Sequence, residues 1–167
     1  DLQRRLMMYR LRSKVEITNI SEAFDIYASD APLTGNGVIS FPDPRHEGLG
    51  YRCLLPKNFD FSGQVRDFED YDKSRIGLGI ADGSRDIDIE KTLILEANLE
   101  PLHGVDFEKG CYVGQELTAR MKHRGKIRKR LFTVAIDGSA PSADVPIILN
   151  DKTMGEMRSH IGDKGLA

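Results

Sequence analysis

The spacing of apolar residues along the chain changes character near residue 125. In residues 2–12, Leu2, Leu6 and Tyr9 fall at i, i+4 and i+7, with Arg4, Arg5, Arg10 and Arg12 mostly elsewhere. That spacing predicts an amphipathic helix, which Asp1 is placed to cap. Lys14–Ile20 then alternates, Val15 and Ile17 against Glu16 and Thr18, as a half-buried strand does. Further strands are expected at Phe24–Ala28, Val38–Phe41 and Tyr51–Leu55, the last two stopped by Pro42 and Pro56. Val65–Gly79 reads as a helix with Phe68, Tyr71 and Arg75 on one face and Gly77 and Gly79 at its end. Residues 82–92 are a polar loop, and Leu93–Leu102 fits either a short extended piece or a helical turn. Helical character returns over Gly110–Arg124, with Gly125 as a stop. Beyond it the chain carries only short strands, at 131–136, 145–149 and 154–161, with Asp137-Gly138 and Asn150-Asp151 as turns. The class is therefore α+β over residues 1–125 and all-β over 126–167, with both ends reading as incomplete.

The total charge of −2 favours no polyanionic partner, but the charge is unevenly placed. Residues 82–108 hold a net −6 and residues 109–130 a net +7. The two stretches can satisfy each other across a solvated surface. Alternatively the basic one, with Arg120 and Arg124, is an anion site for a polyglutamate tail or a nucleic-acid backbone. Its lack of interleaved aromatics argues against single-strand binding, so direct nucleic-acid contact is not expected. No apolar run approaches the length of a membrane span, and no membrane contact is expected. The chain has 2 cysteines, Cys53 and Cys111. That is too few for a disulfide framework or for a four-thiolate metal site within one chain, and it suits a reducing compartment. His46, His103, His123 and His160 show no metal-ligand spacing, so no metal is assigned.

The segment Lys109-Gly110-Cys111-Tyr112-Val113-Gly114-Gln115-Glu116 carries the densest chemistry. Gly110 permits a positive φ beside Cys111. If the helix begins close by, its free amides and dipole favour a thiolate at Cys111, and Lys109 acts in the same direction. Glu116 suits the first turn and could close a cap. The alternative is that Cys111 is a small buried residue, as cysteines often are. Cys53, in a strand, reads as core.

That segment resembles the signature of the YgfZ-type folate-binding proteins of iron–sulfur cluster assembly and repair, a family with mitochondrial members. These share a fold with the aminomethyltransferase, or T protein, of the glycine cleavage system. The resemblance extends to Tyr9-Arg10-Leu11-Arg12, Asp43-Pro44-Arg45, Arg75-Ile76, Leu95-Glu96-Ala97-Asn98-Leu99, and Gly155 with Ser159. It implies a folate-binding, aminomethyltransferase-like fold lacking its N-terminal portion, followed by a C-terminal β-barrel-like domain. It further implies tetrahydrofolate as cofactor, with Glu96 holding the pterin and Tyr112, Gln115, Arg120 and Arg124 near the ligand. Without the resemblance, Glu96 reads as a solvated or capping residue. The T protein lacks a cysteine at the position of Cys111, so the resemblance favours the iron–sulfur branch over a one-carbon transferase. Cys111 is then the essential thiol, with Lys109 beside it. Partners would be iron–sulfur enzymes, including tRNA-modifying radical enzymes, and assembly proteins. The setting would be bacterial cytoplasm or, in a eukaryote, the mitochondrial matrix.

Overall fold

A computed structural model describes residues 2–125 and 127–167. The chain divides into two compact units, one of residues up to 42 together with 51–63, the other of 43–50 together with 64–167.

The first unit begins with helix α1, Leu2–Arg10. The expected cap, Asp1, lies outside the described residues. The α1 stripe faces no core: Leu2 and Tyr9 are exposed at 71% and 66%. The alternation at 14–20 does not become a strand. Its carbonyls go to α1 instead, Gln3 Nε2 donating to Ile17 O (2.9 Å) and Arg10 Nη1 to Val15 O (3.1 Å). Satisfying a backbone from side chains leaves no ladder to build. Strands β1 (Phe24–Ser29), β2 (Ile39–Pro42) and β3 (Tyr51–Pro56) form an antiparallel sheet in the order β1-β3-β2. The pleat sorts their side chains. Cys53 and Leu55 are buried on one face, and Ser40 Oγ lies 3.2 Å from Cys53 Sγ. Ile26, Leu54 and Ile39 pair across the other, where Ile26 and Ile39 are exposed. Cys53 is thus the core residue its alternation suggests.

The second unit is organised by helix α2, Phe68–Gly77, three residues shorter at its start than its pattern suggests. Gly79 ends it at φ 73°, and Ile80 N donates back to Arg75 O. Leu49, Ile80 and Leu102 form a buried cluster with Tyr71 and Leu78 against them, and Ile76, Leu95 and Leu166 are buried as well. The Asp43-Pro44-Arg45 loop is held by Arg45, which forks onto Asp43 (2.9 and 2.6 Å) and reaches Tyr71 Oη at 2.9 Å. Residues 93–102 form tight turns, with Glu96 N and Ala97 N both returning to Leu93 O. Helix α3 spans Gln115–Arg124 and stops at Gly125 as expected. No helix among the described residues is long and apolar enough to cross a membrane.

The C-terminal strands are β4 (Thr133–Ala135), β5 (Pro146–Leu149), β6 (Lys152–Glu156), β7 (His160–Ile161) and β8 (Lys164–Leu166). They pair as β4-β8-β7 and β5-β6. Asn150 and Asp151, both at positive φ, make the tight β5–β6 turn. The single strand expected over 154–161 is instead two, because residues 157–159 turn aside to other partners. Met157 N goes to Val145 O, Arg158 N to Leu166 O, and Ser159 N to Asp86 Oδ1.

That last bond belongs to a buried network on α2. Arg75, 1% exposed, donates through Nε to Asp72 (2.7 Å), through Nη1 to Asp86 (2.7 Å) and Ile80 O (3.0 Å), and through Nη2 to Ser159 Oγ (2.8 Å). Arg85 forks onto both oxygens of Asp72, each at 2.7 Å, sharing Oδ1 with Arg75, and pairs with Asp82. Arg158 adds Asp88 and Asp144. Every donor on Arg75 Nε and Nη1 thus meets a partner, as burial of a guanidinium requires.

Candidate functional site

The approach to α3 is shaped by two glycines, Gly110 at φ 94° and Gly114 at φ 87°. Both conformations suit glycine and strain other residues. Gly114 occupies the N-cap and has no side chain to cap with. The turn is closed by Gln115 instead: its Oε1 accepts from Tyr112 N (3.1 Å), while its own N–H donates to Tyr112 O (3.2 Å). Glu116, expected to close a cap, does not take that place; Gln115 lies one residue nearer and reaches Tyr112 N first. Thr118, buried, bonds back to Gly114 O through its hydroxyl.

Cys111 sits between the two glycines, exposed and unpaired. The burial reading is therefore excluded. The thiol stands one residue past Gly110 and three before the N-cap, so it belongs to the loop leading into α3 rather than to the helix's first turn, where the dipole acts. Lys109 and Tyr112 flank it. The Lys109 ammonium lies 5.5 Å from the centre of the Tyr112 ring, in cation–π range.

Lys109 and Tyr112 also line a cavity of about 370 Å³ with Ile94, His103, Val105 and Thr118. Within the described residues the Tyr112 hydroxyl is buried and has no hydrogen-bond partner. A buried, unsatisfied hydroxyl costs stability unless something occupies the space before it. Cys111 does not line the cavity but borders residues that do.

The remaining expected residues separate. Gln115 is spent on the turn. Glu96 is half-buried with Oε2 3.5 Å from Leu93 N, a turn-closing position; Ile94, in the same turn, lines the cavity, whereas Glu96 does not. Arg120 and Arg124 are exposed on α3. Half of the acids in the acidic stretch are paired internally: Asp86 with Arg75, Asp82 with Arg85, Asp88 with Arg158, and Glu100 with Lys122. Lys122 also lies over the Phe107 ring, which meets His123 edge-on. The wall at His103–Asp106 was not legible in the sequence, where His103 offers only metal spacing or a place near Cys111 to consider. The Pro101-Leu102-His103-Gly104 turn, with His103 at φ 57°, was the available signal. Among the described residues, no three His, Cys, Asp or Glu side chains gather as a metal-ion ligand set.

The chain is of the α+β class, its C-terminal strands forming two small antiparallel sheets, and Cys111 is its exposed free thiol. Residues 128–167 match the family described as CAF17, C-terminal beta-barrel domain. The whole chain is similar to the mitochondrial iron–sulfur cluster assembly factor IBA57 of Mus musculus and to that of Homo sapiens. Each is 36% identical, over 99% of this chain and 52% of the relative. The IBA57 homolog of Mycosarcoma maydis is 38% identical over 82% of this chain and 36% of its own length. The chain is thus similar to the IBA57 assembly factors along essentially its whole length, and its last forty residues match the CAF17 C-terminal barrel family. It spans about half the length, or less, of these relatives.

Proposed function

We propose that this chain carries the thiol-bearing part of a factor that supports iron–sulfur cluster assembly, with Cys111 as the group that meets the cluster or its protein carrier. The observation that carries the reading is the presentation of Cys111: exposed, unpaired, and set between two positive-φ glycines beside Lys109. A thiolate so placed can ligate a cluster iron as one of several ligands, the others coming from a partner, or can exchange with a partner's sulfur. The similarity to the IBA57 assembly factors supports the cluster role.

The folate part of the proposal rests on the family resemblance together with the cavity. Its volume falls at the small end of the range for ligand sites, about 300–1,000 Å³, and suits a flat ring system better than a whole folate. The Tyr112 hydroxyl would find there the partner it lacks, and Lys109 would favour an anionic or electron-rich group. Glu96 would have to leave Leu93 N to hold a pterin edge with its carboxylate. Folate-dependent support of tRNA-modifying radical enzymes, as in the YgfZ branch, and a mitochondrial setting, as in the names of the relatives, complete the proposal.

The test uses the full-length protein. Tetrahydrofolate binding is measured by calorimetry, and activation of a [4Fe–4S] enzyme is assayed, for wild type, Cys111→Ala and Glu96→Ala. Loss of activation with retained folate binding in Cys111→Ala, and weakened binding in Glu96→Ala, is the expected result. Full activation by Cys111→Ala removes the thiol from the function. Turnover of a methylamine donor with tetrahydrofolate, indifferent to Cys111, would make the protein a one-carbon transferase instead.

A further inference from the structure

Helix α3 has two unlike sides. At about 100° per residue, Gln115, Thr118, Ala119 and Lys122 share one of them. There Thr118 is buried, and Lys122 pairs with Glu100. The other side carries Glu116, Leu117, Arg120 and Arg124, all exposed. Leu117 is 47% exposed, and Val113, just before the helix, 83%. Arg120 and Arg124 make no ion pair among the described residues, nor do the exposed Arg128, Lys129 and Arg130. Four acids of the preceding stretch, Asp82, Asp86, Asp88 and Glu100, are engaged with Arg85, Arg75, Arg158 and Lys122, which leaves Glu116 as the one acid on this face of the helix, against five bases along it and beyond. A basic surface that the chain itself does not neutralise, with apolar side chains at one end, runs along a helix whose leading loop presents Cys111.

We infer that this outer face of α3 is a docking surface for a protein partner offering acidic side chains around a small apolar contact, and that it seats the partner against Cys111. The inference rests on the reading of Cys111 as the working thiol and adds how a partner finds it. A ten-residue helix is about 15 Å long, so a partner lying along it covers both the guanidinium groups and the loop of the thiol. Arginine with exposed aliphatic side chains is the composition of protein interfaces. Opposite charge steers the encounter before contact. Nucleic acid fits less well, because the face offers no aromatic ring for a base to stack on. The glutamyl tail of a folate in the cavity fits less well too. Arg120 and Arg124 lie roughly 120–160° around the helix from Thr118, which lines that cavity.

The experiment measures binding to the full-length protein by fluorescence anisotropy. The probe is a thiol-free helical peptide of about fifteen residues with Leu along its centre and Glu on both flanks. A Lys-flanked counterpart, pentaglutamate and a uridine dodecamer are the controls. Binding of the Glu-flanked peptide is expected in wild type and in Cys111→Ser alike. It should fall at least tenfold in Arg120→Glu/Arg124→Glu and several-fold in Leu117→Ser. It should also weaken as salt rises by one order of magnitude, since exposed charges are screened. All three substituted positions are exposed, and circular dichroism confirms that the variants are folded. Equal affinity for wild type and the charge-reversed variant overturns the inference, as does no binding at all. Pentaglutamate binding as tightly as the peptide would reduce the face to a simple anion site, and tighter binding of the uridine strand would make it an RNA site. Either overturns the inference. If docking is as expected but Cys111→Ala still activates its client, the thiol reading fails and the surface stands. If Cys111 is essential and the peptide is ignored, only the surface fails.

Discussion

Arg75 shows how much one side chain decides. Its guanidinium is almost fully buried and is compensated by Asp72, Asp86, Ile80 O and Ser159. Arg75→Met leaves Asp86 buried without its counter-charge, so a loss of about 3–5 kcal/mol is expected in urea unfolding. Adding Asp86→Leu should return part of that loss, because the orphaned charge rather than the missing pair carries most of the cost. Arg75→Lys should fall between, since a point charge cannot replace the fork. Gly114 is a second case. A Cβ there meets nothing within 4 Å, so Gly114→Ala reports backbone strain alone, at φ 87°. A loss of about 1 kcal/mol is expected by the same measurement. At this scale the sequence was partly legible. Cys53 as core and the glycines around Cys111 follow from residue type and spacing. The burial of Arg75 does not, because its partners lie up to 84 residues away.

Among the elements, α3 and the sheet of β1, β2 and β3 could be read from apolar spacing and from glycine and proline punctuation. The misses share one physical cause. A strand needs a neighbour with free backbone groups, and alternation alone does not supply one. Val15 and Ile17 alternate, yet their carbonyls are taken by Gln3 and Arg10. Met154–Ile161 is continuous in pattern, yet Ser159 N is drawn to Asp86. The side chain that closes the turn into α3 is Gln115 rather than the expected Glu116, because the backbone path set by Gly114 decides which side chain can reach back. That assignment is testable. Gln115→Ala should speed hydrogen exchange at the Tyr112 amide and cost about 1 kcal/mol, the usual worth of one such hydrogen bond. Gln115→Glu should restore protection, since its carboxylate offers the same acceptor. Unchanged exchange in Gln115→Ala would remove the bond from the site's architecture.

For the molecule as a whole, the network around α2 sets a dependence on acid. Burial pushes the Asp82 carboxyl up, but the Ser84 backbone and hydroxyl and the Arg85 guanidinium outweigh it and hold it at about 2. Hydrogen bonds from Arg85 lower Asp72 as well, against burial and with help from Arg75. A carboxylate held below its unfolded value contributes stability that is complete above that value and is lost as pH falls towards the folded one. For Asp82 the window runs from pH 3.8 down to about 2. Wild type should lose stability across it more steeply than Asp82→Asn, by on the order of 1–2 kcal/mol, measured by urea unfolding at each pH. Parallel slopes would show that the Ser84 and Arg85 contacts do not hold in solution.

The Arg75–Asp86–Ser159 contact also bears on how the gene could be cut and recombined. Residues 128–167 have a family of their own and look portable. Yet the backbone amide and hydroxyl of Ser159 are spent on groups encoded far upstream, at Asp86 and Arg75. A chimera that grafts this barrel onto an unrelated chain would inherit a polar turn with nothing to bind. A transplant that carries residues 43–167 as one cassette keeps both sides of that contact together with Leu49 and Arg45, and truncation within that stretch should be poorly tolerated.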